Sequence, residues 1–142
     1  MKKVQWTDDL SVGVGAIDEQ HQVWLQHLNS LTESLEAHQG PAKIASMLDF
    51  LIEYTHSHFA TEESFMDGSN YPEIETHKAK HREFKEILND MESEFRDDGP
   101  TPILVESVNT LLANWLIKHI LEVDMEFGAF LKSNGIAVDA EG

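Results

Sequence analysis

The sequence predicts an all-α fold: an antiparallel up-down four-helix bundle with an extended N-terminal arm. Three observations carry this expectation. The turn-forming stretches "HQGP" (38–41), "DGSNYP" (67–72), "DDGPTP" (97–102) and "SNG" (133–135) divide the chain into four segments of roughly twenty to thirty residues. Within each segment, apolar residues recur in steps of three and four, the spacing of one helix face. The links between segments are short, and short links make consecutive helices run back beside each other.

Residues 1–17 hold Gly13 and Gly15 and read as the arm, 18–133 as the bundle, and 134–142 as a C-terminal tail. The first helix has Asp18 as its expected N-cap and a stripe of Ile17, His21, Trp24, Leu28, Leu31 and Leu35. The second, opened by Pro41, carries Ile44, Leu48, Leu51, Thr55, His58, Glu62 and Phe65. The third, opened by Pro72, carries Ile74, His77, His81, Phe84, Leu88, Met91 and Phe95. The fourth, capped by Thr101 and opened by Pro102, carries Val108, Leu112, Trp115 and His119. Proline suits a first helical position because its missing N–H would have had no partner there.

Composition narrows the function. A chain of 142 residues can bury a real core as one domain. With no cysteine, it has no disulfides, thiolate metal sites, iron–sulfur clusters or cysteine nucleophiles. A formal charge of −16 repels phosphate backbones and anionic lipid, so neither nucleic acid nor a membrane is an expected partner. No run of about 18 apolar residues is present to span a bilayer. Asp8 and Asp9 follow Lys2 and Lys3 before any apolar run, so no export signal is read and a cytoplasmic location is expected. The fold needs no second copy, which makes a monomer the simplest expectation.

The stripes also carry polar residues where apolar ones belong. His21, His58, His77, His81 and His119 lie on the predicted core faces, together with Glu62. One buried histidine is usually satisfied by an ordinary hydrogen bond. Five would each need a partner, and a shared metal satisfies all of them at once. "HKAKH" puts His77 and His81 one turn apart, and "HFATE" does the same for His58 and Glu62. The other histidines act as a control: His27, His38 and His56 fall off the stripes and read as surface residues. Asp124 follows His119 by five residues, about 140° off its face in an ideal helix. The apolar stripe slips by one residue at the same place, resuming at Phe127 and Leu131. A wide, π-type turn between His119 and Asp124 would absorb both offsets.

The segments "WTDDLSVGVGAIDEQH", "HFATEE", "HKAKH" and "WLIKHILEVD" resemble those of the hemerythrins, most of all the single-domain bacterial ones, over about residues 6–131. The resemblance implies a four-helix bundle with a non-haem di-iron centre that binds dioxygen reversibly. It implies one iron on His77, His81 and His119, a second on His21 and His58, and Glu62 and Asp124 bridging both. Glu63 matches the family's "HFxxEE" without being a ligand there. Two six-coordinate ions sharing an oxide or hydroxide would leave one open position, on the iron with two histidines. The sulfur-free donor set suits iron, and it also accepts manganese or cobalt. Trp24 and Trp115 would pack near that centre, and the motif segments supply no tyrosine to relay a radical. The leading functional expectation is oxygen carriage, storage or delivery without catalysis. The alternatives are an oxygen or redox sensor acting through a partner and a di-iron oxidoreductase such as a peroxidase or nitric oxide-handling protein.

Overall fold

A computed structural model describes residues 5–136; the readings made for the first four residues and the last six lie outside them. The described residues contain helix and no strand. Helix α1 spans Gly15–Glu36, α2 Pro41–Gly68 and α3 Ile74–Asp98. The fourth rod runs from 102 to 133 in three α-helical pieces, α4 (Pro102–Ser107), α5 (Ala113–His119) and α6 (Met125–Ser133). Two π-helical turns, Val108–Leu112 and Ile120–Asp124, join those pieces. The core runs the length of the bundle, from Ile17 and Phe127 at one end to Leu35, Ile44 and Phe95 at the other.

Helix ends follow from local chemistry. The Thr101 hydroxyl accepts the Leu104 N–H at 3.1 Å, satisfying a donor that the helix cannot. Pro41 and Pro102 occupy first-turn positions as expected, whereas Pro72 sits in the turn ahead of Ile74. Three helices stop when one residue turns left-handed: His38 (φ 52°) after α1, Asn70 (φ 56°) after α2 and Gly135 (φ 64°) after α6. At each stop an N–H reaches back to close the last turn: Gln39 to Ser34 at 3.1 Å, Tyr71 to Met66 at 3.0 Å and Ile136 to Leu131 at 2.9 Å.

Asp18 does not cap α1, which starts three residues earlier at Gly15. Its carboxylate instead accepts the Ser11 hydroxyl at 2.5 Å and the Val12 N–H at 2.8 Å. The residue thus clamps the arm rather than starting the helix. Leu10, Val12 and Val14 of the arm are buried, and Trp6 packs against the same core. Gly128 of α6 makes this docking possible, because a Cβ there would overlap the Val12 carbonyl oxygen.

The expected stripes on α1 and α3 match the buried faces, except that Ile74 at the start of α3 is half-buried. On α2, Met66 takes the buried place expected of Phe65, which is half-buried. On the fourth rod, Leu104, Val108, Leu112, Leu116, Ile120 and Asp124 are buried in strict steps of four, with Trp115 at the edge. Four residues per turn exceeds the α-helical 3.6, so the rod must unwind and widen locally; the two π turns do this.

Candidate metal centre

The wide turn expected between His119 and Asp124 is present as Ile120–Asp124, and it swings Asp124 onto the same face as His119. All seven polar residues singled out above converge inside the bundle, toward the end marked by Ile17 and Phe127, and none is more than 3 % exposed. His21 comes from α1, His58 and Glu62 from α2, His77 and His81 from α3, and His119 and Asp124 from the fourth rod.

The carboxylate oxygens divide the histidines into two groups. Glu62 Oε1 lies 2.7 Å from His77 Nε2 and 3.0 Å from His81 Nε2. Its Oε2 faces the other way, 3.8 Å from His21 Nε2 and 3.7 Å from His58 Nε2. Asp124 repeats the division: Oδ1 is 2.8 Å from His77 Nε2 and 3.1 Å from His119 Nε2, while Oδ2 is 2.9 Å from His21 Nε2. The result is two clusters: Glu62, His77, His81, His119 and Asp124 in one, and His21, His58, Glu62 and Asp124 in the other. In each, the donor atoms lie within 4.8 Å of one another.

These close approaches are mostly not hydrogen bonds. The Nε2 atoms of His21, His58, His77 and His119, with Glu62 Oε2 and both Asp124 oxygens, are buried without an aligned hydrogen-bond partner among the described residues. Lone pairs gathered this tightly repel one another unless cations lie between them, and unpaired polar atoms are costly to bury. Nitrogen and carboxylate donors without sulfur are those that a non-haem transition-metal centre uses, so the residues present fit such a group.

Two ring nitrogens on the far side are anchored. His58 Nδ1 donates to Gln20 Oε1 at 2.7 Å, and His81 Nδ1 donates to Glu63 Oε2 at 2.7 Å. A neutral imidazole that donates from Nδ1 presents a lone pair at Nε2, the atom turned toward the cluster. Gln20 lies within the segment "WTDDLSVGVGAIDEQH", next to His21, but its role was not readable there, since it lies off the His21 face and meets His58 only through the fold. Glu63 was visible in its motif, but its role was not.

Aromatic rings close the surroundings. The Trp24 indole N–H donates to Thr55 Oγ1 at 2.9 Å, and its ring meets Phe59 and Phe84 edge to face. Phe59 stacks on His81 at 3.8 Å, and Trp115 stacks on His119 at 4.6 Å. A tyrosine is near after all: Tyr71, from outside the motif segments, sits buried with its ring 6.4 Å from that of His77. Burial, reinforced by Glu126 and Glu73, pushes its phenol up to about 12. Of the control residues, His56 and His38 are exposed, while His27 is half-buried with its ring 5.2 Å from that of Tyr54.

Without metal, the charges balance against one another. Burial pushes His58 down to about 4. Burial also opposes charge on His77, but Asp124 and Glu62 outweigh it and push His77 up to about 9. Burial and Asp124 would raise Glu62, yet His77, His81 and His58 hold it down at about 2. Asp124 lies well below the usual carboxylate range: burial opposes this, but His119, His21 and His77 prevail. A cavity of about 90 Å³ touches His119 beside Trp115, Lys80 and Lys118. A larger one, about 570 Å³, lies at the opposite end of the bundle and touches none of the seven residues.

The fold and this cluster define a class: a four-helix bundle with a candidate cation cage of histidines and shared carboxylates buried inside it. The family model described as "Hemerythrin HHE cation binding domain" matches residues 12–131, and the chain belongs to the hemerythrin family. It is 30 % identical over 134 residues to a bacteriohemerythrin of Stenotrophomonas maltophilia, covering 94 % of this chain and 85 % of that one. It is 28 % identical to a bacteriohemerythrin of Methylococcus capsulatus, covering 94 % of this chain and all of the relative. A crystal structure of wild-type hemerythrin superposes with a TM-score of 0.81 at 28 % identity, covering 90 % of this chain and 97 % of the other.

Proposed function

We propose that this protein binds dioxygen reversibly at a pair of iron ions, for oxygen carriage, storage or delivery, and does so as a monomer. In this reading His77, His81 and His119 would hold one ion, His21 and His58 would hold the other, and Glu62 and Asp124 would each offer one oxygen to each ion. The observation that carries the reading is the division of each carboxylate between the two histidine groups. Held there, the iron pair supplies the two-electron redox chemistry that reversible oxygen binding needs.

The chain itself does the rest. Gln20 and Glu63 fix two imidazoles in the tautomer that turns Nε2 inward. Trp24, Phe59, Phe84 and Phe127 are fully buried and keep the surroundings dry, which favours retention of a bound small ligand over its loss to water. The hydrogen bond from Trp24 to Thr55 satisfies the one polar atom of that indole, so the wall needs no water of its own. Imidazoles outnumber carboxylates five to two, and fewer anionic donors stabilise high-valent iron less well, which favours binding over oxidation of a substrate.

The test is an optical titration of the reduced, iron-loaded protein with dioxygen. One oxygen should be taken up per chain and released unchanged when the gas is removed. Steady oxygen consumption with a reductant or organic substrate, without a releasable complex, would replace carriage by catalysis.

A further inference from the structure

We propose that Glu63 and Gln20 make the two halves of the cage chemically unequal, with Glu63 biasing the three-imidazole half toward the more highly charged ion. This rests on the two-ion reading above. Glu62 and Asp124 offer an oxygen to each half, so neither distinguishes them by charge. The difference lies behind the imidazoles. His81 Nδ1–H donates to a carboxylate and His58 Nδ1–H to a neutral amide, both at 2.7 Å. An imidazole whose proton is shared with an anion is the stronger donor at its other nitrogen, and partners of this kind are worth 10- to 100-fold in metal affinity. The Glu63 side chain is 26 % exposed, so water and His81 together solvate its charge and the bond forms without stranding an anion. By contrast, the Nδ1 atoms of His21, His77 and His119 have no acceptor among the described residues. The charged acceptor and the third imidazole therefore fall on the same half.

Two exchanges separate charge from positioning. Glu63→Gln keeps an acceptor for His81 Nδ1–H and removes the charge, while Gln20→Glu places a charge behind His58. Each would be titrated with cobalt(II) after metal removal, and the iron-loaded forms would be titrated potentiometrically with mediators. Helical content measured by circular dichroism confirms that each variant folds. In Glu63→Gln, one of two cobalt binding steps should weaken about tenfold or more, and the iron potential should move positive. Gln20→Glu should tighten the other step and move the potential negative. If Glu63→Gln binds cobalt as the parent does, at an unchanged potential, Glu63 only positions His81 and the inference is overturned. A parent protein that takes up fewer than two cobalt or iron ions would instead overturn the two-ion reading itself.

Discussion

His77 touches both shared carboxylates, and the two close oxygens that push it up to about 9 make it hold a proton that metal must displace. Burial opposes charge on His21, but Asp124 and Glu62 push it up in the same direction. Metal needs the lone pair of His77, so at neutral pH binding must displace a proton from it. Metal affinity should therefore rise at least about tenfold per pH unit between about 7 and 9, as followed by cobalt(II) titration at several pH values. In the metal-free chain the signs differ by residue. His77 is raised above its ordinary 6.5, so its contribution to stability is full below 6.5 and lost as pH climbs through 9. His58 is depressed to about 4, so it withdraws stability as pH falls from 6.5 toward 4. Glu62, at about 2, contributes above its ordinary 4.5, and that contribution is lost as pH falls through 2. Urea midpoints of the metal-free protein should thus be highest near pH 6–7. A midpoint still rising between pH 7 and 9 would contradict the charge assigned to His77. The burial of the seven residues in one cluster was legible in the sequence, six of them because a charged or imidazole side chain on an apolar stripe is conspicuous and Asp124 through the offset turn. The roles of Gln20 and Tyr71 were not, because each meets its histidine only across the fold.

Among the elements, the fourth rod carries the least regular structure and the most consequence. Its turn at Ile120–Asp124 could be read from two coincident offsets, in Asp124 and in the apolar stripe. The matching turn at Val108–Leu112 went unread, because Trp115 completes an acceptable heptad with Val108, Leu112 and His119. The strict four-residue steps from Leu104 to Asp124 were the signal that would have found it. The arm shows another limit: its buried valines are evident only once Gly128 is seen to admit the Val12 backbone. Replacing a mid-helix glycine by alanine ordinarily gains about 1 kcal/mol of helix propensity. Here the overlap with Val12 should win: Gly128→Ala should cost about 1–3 kcal/mol and speed amide exchange over residues 10–14. A more stable variant with an equally protected arm would show that the arm can shift at no cost. At the other end of the rod, Thr101→Ala should cost about 1 kcal/mol in a urea melt, since it leaves the Leu104 N–H without its acceptor. An unchanged midpoint would mean that water caps the helix equally well.

For the whole molecule, a chain of formal charge −16 folds around an apolar core that holds one buried polar cluster. Fold class was the most legible feature, since periodicity and turn residues both pointed to it. The proposed function rests on the candidate cage and not on the bundle, because four helices packed on leucine and phenylalanine would fold much the same without one. Ions that bind only the folded chain stabilise it by mass action, about 2.7 kcal/mol at a hundredfold excess over the dissociation constant. The metal-free protein should therefore melt lower than the loaded one. The most direct test of the cage is metal content in protein purified from iron-replete cells, beside His77→Ala and His27→Ala variants prepared identically. Two irons per chain in the parent, a marked loss in His77→Ala and full occupancy in His27→Ala are expected. A parent without a metal pair, or equal losses in both variants, would contradict it.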